Sequence, residues 1–587
     1  MTTENTSAAA PKPPTKNEFL KAADPTLAGN IGASLADTTT DRFSEDDEQF
    51  LKFHGIYQQD DRDKRKTGKY YMTMIRARIP AGVVKPEQYL VFDKLSADYG
   101  NNTLRLTSRQ SVQWHGVVKG KLGPLMKELN EVMITTLAAC GDVNRNVMAP
   151  STPATGPLTE IVIEDSRAVS DALLPTTPAY HQIWVEGQPL RLSGPAATEE
   201  EIAAKAAAAA AGETFTAPPP ASDFTDPLYG KTYLPRKFKT AFAIPPLNDV
   251  DVFTNCLGFI AIADPANPSR VLGYNLLAGG GLGMSHGNKD TFPRVADVIG
   301  FFPRERLVDV ARAVVTVHRD FGDRTNRKHA RLKYVLAEKG AAWFRAEIDA
   351  RTGFKLEDPR PWSFTKQGDL FGWHRQLDGK NFLGLYVEAG RIQDTAARRL
   401  KTALREIARR YAIEFRITPS QNLILSGVAD ADRDGITDLL SEHGIPVVNQ
   451  AGAVRRASMA CPSMPTCGLG LAESERFLPT LLDRFEQAFS ELGISDDEVI
   501  IRMTGCPNGC ARPFMAEIGL IGRAPNKYNV YVGGNEACTR LARTFQESVK
   551  GDEVVDLLKP VLTRWRDERL PGERFGDFCV RTGIVSG

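Results

Sequence analysis

Cysteine is scarce in this sequence, at eight in 587 residues. That density excludes a small secreted scaffold stapled by disulfides. Charge of one sign is not in surplus. The chain has 73 basic and 72 acidic residues, a formal charge of +1. A protein held to nucleic acid by bulk charge is excluded. No apolar run approaches the roughly 20 residues of a membrane-crossing helix. The start, MTTENTSAAAPKPPTKNEF, lacks the basic-then-apolar pattern of a secretory signal. Its first 25 or so residues have the composition of a disordered arm. No Ser-His-Asp, zincin or GxGxxG pattern appears, and the glycine run Gly279–Gly281 lacks the Walker lysine. What remains is an ordinary globular composition, 42% hydrophobic and 25% charged, long enough for about four domains. The setting expected is reducing and cytoplasmic, with thiolates available as ligands.

One internal repeat is legible. Residues 104–117, LRLTSRQSVQWHGV, align with 415–428, FRITPSQNLILSGV, at an offset of 311. Strand-like stretches (71–80 and 381–390) and helix-like stretches precede each copy, and a further helix follows each. In the first copy that helix is expected to end at Gly141. The unit reads β-α-β-β-α, used twice. Two copies of one unit are expected to pair about a pseudo-twofold axis, in one sheet. Alternation puts Arg105, Thr107, Arg109, Gln113 and His115 on one face of the first copy. The second copy has Ser420, Ile424 and Ser426 where the first has Arg109, Gln113 and His115. Only the first copy therefore offers a surface for an anion. Residues 198–223 read as a surface insertion: a helix with Thr198 and Glu201 as capping box, Gly212 as its end and Pro218–Pro220 as a stiff spacer.

Four cysteines form two pairs. Cys461 and Cys467 are a C-x5-C, Cys506 and Cys510 a C-x3-C. Thiolates bind zinc and iron–sulfur clusters. Structural zinc favours two to four residues between paired cysteines, so C-x5-C suits it poorly. A 4Fe–4S cube is wider and takes sulfurs from varied directions. Prolines, Asn508 and Gly509 make both segments turns, which leaves backbone N–H groups free to bond sulfur. Cys140, Cys256, Cys538 and Cys579 lack such context and read as buried hydrophobes.

Three basic clusters stand out. KTYLPRKFKT (231–240) holds Lys231, Arg236, Lys237 and Lys239 with no acid, and Lys237 and Lys239 share a face with Phe238 behind. Arg76 and Arg78 alternate in MIRARIP. Arg145 lies between two asparagines in GDVNRNVMAP. Charge runs are commonly solvated faces. Three of them in a near-neutral chain, beside a cysteine quartet, point to an anionic substrate or a polyanionic cofactor.

Together, YQQDDRD (57–63), LTSRQSVQWHG (106–116), NRNV (144–147), YLPRKFKT (233–240), NLLAGGG (275–281), HGNK (286–289), TGCPNGCARP and EIGLIG (517–522) resemble the sulfite and nitrite reductase family, which uses siroheme and a 4Fe–4S cluster. The resemblance runs in order from about residue 45 to the C-terminus and is nearest the assimilatory, sulfite-reducing branch. It implies a three-domain mixed α/β fold with cofactors at the domain junction. The divisions expected are a flexible, partner-docking arm (1–45), a first ferredoxin-like half (46–150), a siroheme and substrate domain (151–350), a second half (351–440) and a cluster domain (441–587). It implies that Cys461, Cys467, Cys506 and Cys510 bind the cluster and that Cys510 also reaches the siroheme iron. It implies that Arg105, Arg109, Gln113, His115 and Arg236 contact the siroheme carboxylates, and that Arg76, Arg145, Lys237 and Lys239 ring the open iron face. The reaction implied is reduction of sulfite to sulfide in sulfur assimilation, toward cysteine. Two alternatives stand beside it. A ferredoxin-dependent nitrite reductase shares the fold, but that branch usually has Asn where this chain has Lys239. A zinc-stabilised binding protein without redox chemistry would be colourless and leaves the basic clusters unexplained. No flavin or nicotinamide motif is present, so electrons must come from a partner, an NADPH-linked flavoprotein before a ferredoxin. Gly141-Asp142 stands where relatives often have Asn-Asp.

Overall fold

The computed structural model describes residues 12–153, 156–179 and 224–586. The repeated unit is built outward from its hairpin. Strands Leu104–Leu106 and Val112–Val117 are antiparallel, with Arg105 opposite Gln113. The alternation therefore continues through the turn and keeps the polar set on one face. Strands Glu414–Ile417 and Leu423–Val428 repeat the arrangement. Gln110 and Gln421 take the same left-handed turn position, with φ of 52° and 70°. The buried Gln110 amide offsets that strain by donating to the carbonyls of Ala81, Ala149 and Ile417 (3.2, 2.8 and 3.2 Å). Helices Pro86–Asp98 and Leu400–Arg410 precede the hairpins; Leu122–Glu131 and Arg433–Glu442 follow them. The first following helix ends at Glu131, not at Gly141. Irregular chain then carries Cys140, Arg145 and Asn146 inward.

The two copies do not share one sheet. Each forms its own five-stranded sheet, and each sheet borrows a two-residue strand from the other copy. Val83–Val84 pairs with Glu414–Ile417, and Arg391–Ile392 pairs with Leu104–Leu106. The crossings need glycine. A Cβ on Gly82 would lie 2.6 Å from Ile417 O, and one on Gly390 would lie 2.9 Å from Leu106 O, both at φ near +70°. A single apolar core runs through both copies, with Tyr89 stacked on Phe415 at 4.5 Å.

A second internal repeat emerges that the sequence does not display. Thr240–Ala243, Leu257–Asp264, Asn267–Ala278 and Asp297–Pro303 form a sheet whose first pair is parallel and the rest antiparallel. Ile501–Thr504, Ile518–Ala524, Lys527–Val532 and Arg543–Lys550 have the same order and directions, with Met459–Ala460 added at the edge. The first two strands start in register at an offset of 261. Each first crossover turns at a left-handed residue, Asp251 or Arg512. These aligned residues are ion-paired at 2.5 Å. A 15-residue helix follows each sheet, Leu307–Phe321 and Val554–Glu568.

The arm expected over 1–45 is ordered from residue 12 onward. Helices Lys16–Ala23 and Ile31–Ala36 lie on the body, and Leu27 and Ile31 are fully buried. Lys21, also buried, donates to Glu18 (2.6 Å) and lies 3.6 Å from Asp142. Composition misjudges this stretch because a few buried anchors are enough to order an otherwise polar segment. The insertion 198–223 lies outside the described residues. No helix among the described residues is long and apolar enough to cross a membrane.

Candidate cofactor and active site

Sheet pairing delivers the two cysteine motifs to one place. Cys461 follows Met459–Ala460, which lies parallel to Ile501–Thr504, the strand that leads into Cys506 and Cys510. All four thiols are free. Cys461 and Cys506 are buried, Cys467 is half-buried and Cys510 is exposed. Burial and the neighbouring Cys510 charge push Cys461 and Cys506 up, Cys506 to about 11. Four thiols so placed favour a bound cation that stabilises their thiolate forms. Among the described residues no three His, Cys, Asp or Glu gather tightly enough for a single ion. The donor type and the spread fit a 4Fe–4S cube better than one zinc. Gly505 N–H donates to Cys461 Sγ (3.4 Å) and Asn508 Nδ2 to Cys506 Sγ (3.5 Å). Arg62 Nη1 fastens the Cys467 loop through Cys467 O and Gly470 O (3.2 and 2.5 Å).

A cluster of cations faces Cys510. Phe238 is fully buried and bridges to Asn144, so Lys237 and Lys239 project together on the other side. Arg109 is held by Asn255 Oδ1 (2.9 Å), Asn146 O (2.7 Å) and Thr240 O (3.0 Å). Arg145 donates to Gly141 O (3.2 Å). Arg76 Nη1 donates to Cys140 Sγ (3.0 Å), and the Gln113 amide oxygen, turned toward it, accepts from Nη2 and Nε (2.5 and 2.9 Å). Among the described residues, none of Arg76, Arg109, Arg145, Arg236, Lys237 and Lys239 is ion-paired with a carboxylate. Burial, then Arg145, Arg236 and Arg331, push Lys237 down to about 7. Burial, then Arg109, Lys237 and Arg331, push Lys239 well below the usual lysine range. Burial lowers Arg109 to about 9 and Arg236 to about 10. The charge of Cys510 acts on both lysines in the opposite direction. Cys510 thus acts electrostatically on both the thiols and the cations.

Arg105 and His115 lie behind this cluster. Arg105 is fully buried; it donates to Ala460 O (2.6 Å) and faces Glu475 at 3.3 Å. Arg391 from the second copy also holds Glu475 (2.7 Å). Burial works to raise Glu475, but Arg105 and Arg391 prevail and hold it near 2. Burial lowers His115 to about 3, and its Nε2 lies 3.4 Å from the Gln113 side-chain amide. Arg109 Nε, His115 Nδ1 and Arg331 Nε are buried without a partner. Unpaired cations with orphaned N–H groups fit a polycarboxylate such as siroheme, with a small anion beside it.

Several members of the site escape sequence reasoning. Arg331 belongs to the cluster, and its signal was the basic run RKHARLK (327–333). Cys140 and Cys256, read from sequence as plain hydrophobes, instead accept hydrogen bonds from Arg76 and Arg331 (3.0 and 3.2 Å). Glu475 and Arg391 carry no motif at all.

Comparison with known proteins gives the family of the chain. Residues 195–356 and 451–586 match the nitrite and sulphite reductase 4Fe-4S domain. Residues 63–132 and 374–443 match the nitrite/sulfite reductase ferredoxin-like half domain. The sulfite reductase (NADPH) hemoprotein beta-component of Myxococcus xanthus is 44% identical, over 98% of each chain. The protein of the same description from Staphylococcus haemolyticus is 43% identical, over 97% of this chain and 95% of its own. The solved structure of Mycobacterium tuberculosis NirA superposes with a TM-score of 0.77 at 23% identity, covering 98% of this chain and 97% of that one, which shows the fold. The chain therefore belongs to the nitrite and sulphite reductase family.

Proposed function

We propose that this chain reduces sulfite to sulfide in sulfur assimilation, using siroheme and a 4Fe–4S cluster. The observation that carries this is the half-buried group of cations, none of them ion-paired with a carboxylate among the described residues, near the exposed Cys510, which also acts on the thiols of Cys461 and Cys506. When bound, the two cofactors supply the electrons and an iron that takes the sulfur of the substrate. Cys461, Cys467, Cys506 and Cys510 would hold the cluster, with Cys510 at the junction with siroheme. Arg105, Arg109, Gln113, His115 and Arg236 would hold the siroheme carboxylates.

The remaining cations act on the substrate. Arg76, Arg145, Lys237 and Lys239 neutralise the sulfite oxygens and favour charge that builds on an oxygen as its bond to sulfur breaks. Each departing oxygen must be protonated. Lys237, held near 7, shares its proton with water at neutral pH and can give one up and regain it. Lys239 is likewise held well below the usual lysine range by burial and by Arg109, Lys237 and Arg331, so its protonated form gives up a proton readily beside a bound anion. The cations also make the vacant site costly, which favours an anion within it.

Electrons come from a second protein, an NADPH-linked flavoprotein reductase in preference to a ferredoxin, and the chain works in the cytoplasm. The relatives described as NADPH-dependent support that choice. The test is the visible spectrum of the purified protein under reducing conditions, with and without sulfite, together with sulfide release from a dye reductant. Siroheme bands that shift with sulfite, and sulfide as product, are expected. A loaded protein whose bands ignore sulfite would overturn the reading.

A further inference from the structure

Cys256 is fully buried, and its sulfur accepts from Arg331 Nη2 at 3.2 Å. The backbone N–H of Lys239 also points at this sulfur. The second internal repeat shows what this position is built to hold. At the offset of 261, Cys256 aligns with Glu517 and Lys239 with Ile500. Glu517 is a fully buried carboxylate. It accepts from Ile500 N (3.0 Å) and from Arg574 Nη2 (2.8 Å). Arg331 and Arg574 are counterparts too. Each caps the N-terminus of a short helix after the 15-residue helix, Leu332–Lys339 in one copy and Phe575–Arg581 in the other. The same two donors therefore converge on a carboxylate in one copy and on a cysteine sulfur in the other.

We propose that Cys256 is a thiolate and a positioning residue for the sulfite site, fixing Arg331 and acting as the internal counter-ion of the cation cluster. This rests on the function proposed above. The charged groups that face it are Lys239 from the segment alongside, Arg109 from the hairpin turn, and Arg331 and Lys333 from the helix start, while the Lys237 backbone carbonyl lies 4.0 Å from the sulfur. All four side chains are cationic. Burial opposes the thiolate, but Arg331 and the Lys239 N–H prevail, and the thiol is held below its ordinary value. In return its charge favours the protonated forms of Arg109 and Lys333. The cluster thereby keeps its protons without a carboxylate that would repel sulfite or compete for its place.

The test compares loaded wild type, Cys256→Ser and Cys256→Asp. The first readout is the thiolate ultraviolet absorbance, wild type minus Cys256→Ser, titrated with pH. The thiolate band is expected already at neutral pH. The second is the pH profile of kcat/KM for sulfite with a dye reductant. Loss of the anion lowers the cationic acids around it. The alkaline limb of Cys256→Ser should therefore move to lower pH, by about threefold or more in proton concentration. Cys256→Asp should return it toward wild type. A thiol that titrates like a free one, an unmoved limb, or an Asp variant no better than Ser would overturn the proposal. Should Cys256→Ser fail to load, Arg331→Gln replaces it: the wild-type thiolate band must then retreat to higher pH, and an unchanged band counts against the proposal. A loaded wild type that does not reduce sulfite would sink the functional reading, and the ultraviolet titration would still decide this one.

Discussion

In the mechanism proposed above, Lys237 and Lys239 are worth more to chemistry than to folding. Replacing Lys239 by Met keeps the stem and removes the acid. Dye-driven sulfite reduction should fall by about 10²–10⁴, the range of one proton-transfer group, while the siroheme spectrum stays intact. Equal turnover would remove Lys239 from the mechanism. Lys237 adds a pH signature. Its folded value, about 7, lies below the roughly 10.4 of an unfolded chain. The unfolded state binds more protons between those values, so stability rises with pH across that window, and the full cost is felt below about pH 7. Cofactor-free Lys237→Met should therefore be more stable than wild type below pH 7, by about 1–3 kcal/mol. The two should converge near pH 10. Urea unfolding at both pH values decides it; a variant that is less stable in acid contradicts the assignment.

Two buried ion-pair systems join the elements around the site. Glu475 ties the first hairpin, through Arg105, to the borrowed strand of the second copy, through Arg391. Its carboxyl, near 2, lies below the unfolded 4.3 or so. That stabilisation is present above about pH 4 and is lost as pH falls toward 2. Glu475→Gln should cost about 3–5 kcal/mol at neutral pH, because it leaves the fully buried Arg105 guanidinium, and the half-buried Arg391 beside it, without a counter-charge. It should also flatten the acid limb of thermal stability, which calorimetry reads directly. Asp251 is the second hub. It pairs with Arg502 and Arg512 at 2.5 Å each. Arg512 donates to Ser108 O (2.8 Å), and Ser108 Oγ donates to Cys510 O (2.7 Å). Asp251→Asn should thus loosen Cys510, a proposed cluster ligand, as well as the fold. Iron content per chain should drop under mild chelation, whereas a variant that only unfolds sooner would keep its iron while folded.

Across the whole molecule, the N-terminal helices reach toward the proposed site through Lys21 and Asp142. Lys21 lies against Asp142, which also takes Arg327 (2.7 and 3.0 Å) beside Arg236. Burial opposes the Asp142 carboxylate, but Arg327 and Lys21 keep it ionised. Deleting residues 1–36 should therefore lower dye-driven turnover and siroheme content together. A deletion that spares dye-driven turnover, yet abolishes turnover with a flavoprotein donor, would instead support the docking role expected of this segment.

The sequence by itself determined the cysteine quartet, the basic segments and one repeat. Each is local: a spacing, an alternation or a turn is written in neighbouring residues. Lys237 and Lys239 could be paired from sequence because a strand alternates faces, and Phe238 behind them is indeed buried. Tertiary structure alone decided what depends on distant chain segments meeting. The exchange of edge strands at Gly82 and Gly390 is one such case, since no residue announces that a two-residue strand will pair 300 positions away. The second repeat is another. Its copies keep strand order and the Asp251–Arg512 contact while sharing only scattered residues such as Phe253/Phe514 and Gly258/Gly519, because a sheet's hydrogen bonds constrain the backbone and leave most residue types free. Cys256 follows from it: an isolated cysteine reads as a small hydrophobe, and only the folded chain surrounds it with Arg331 and Lys239.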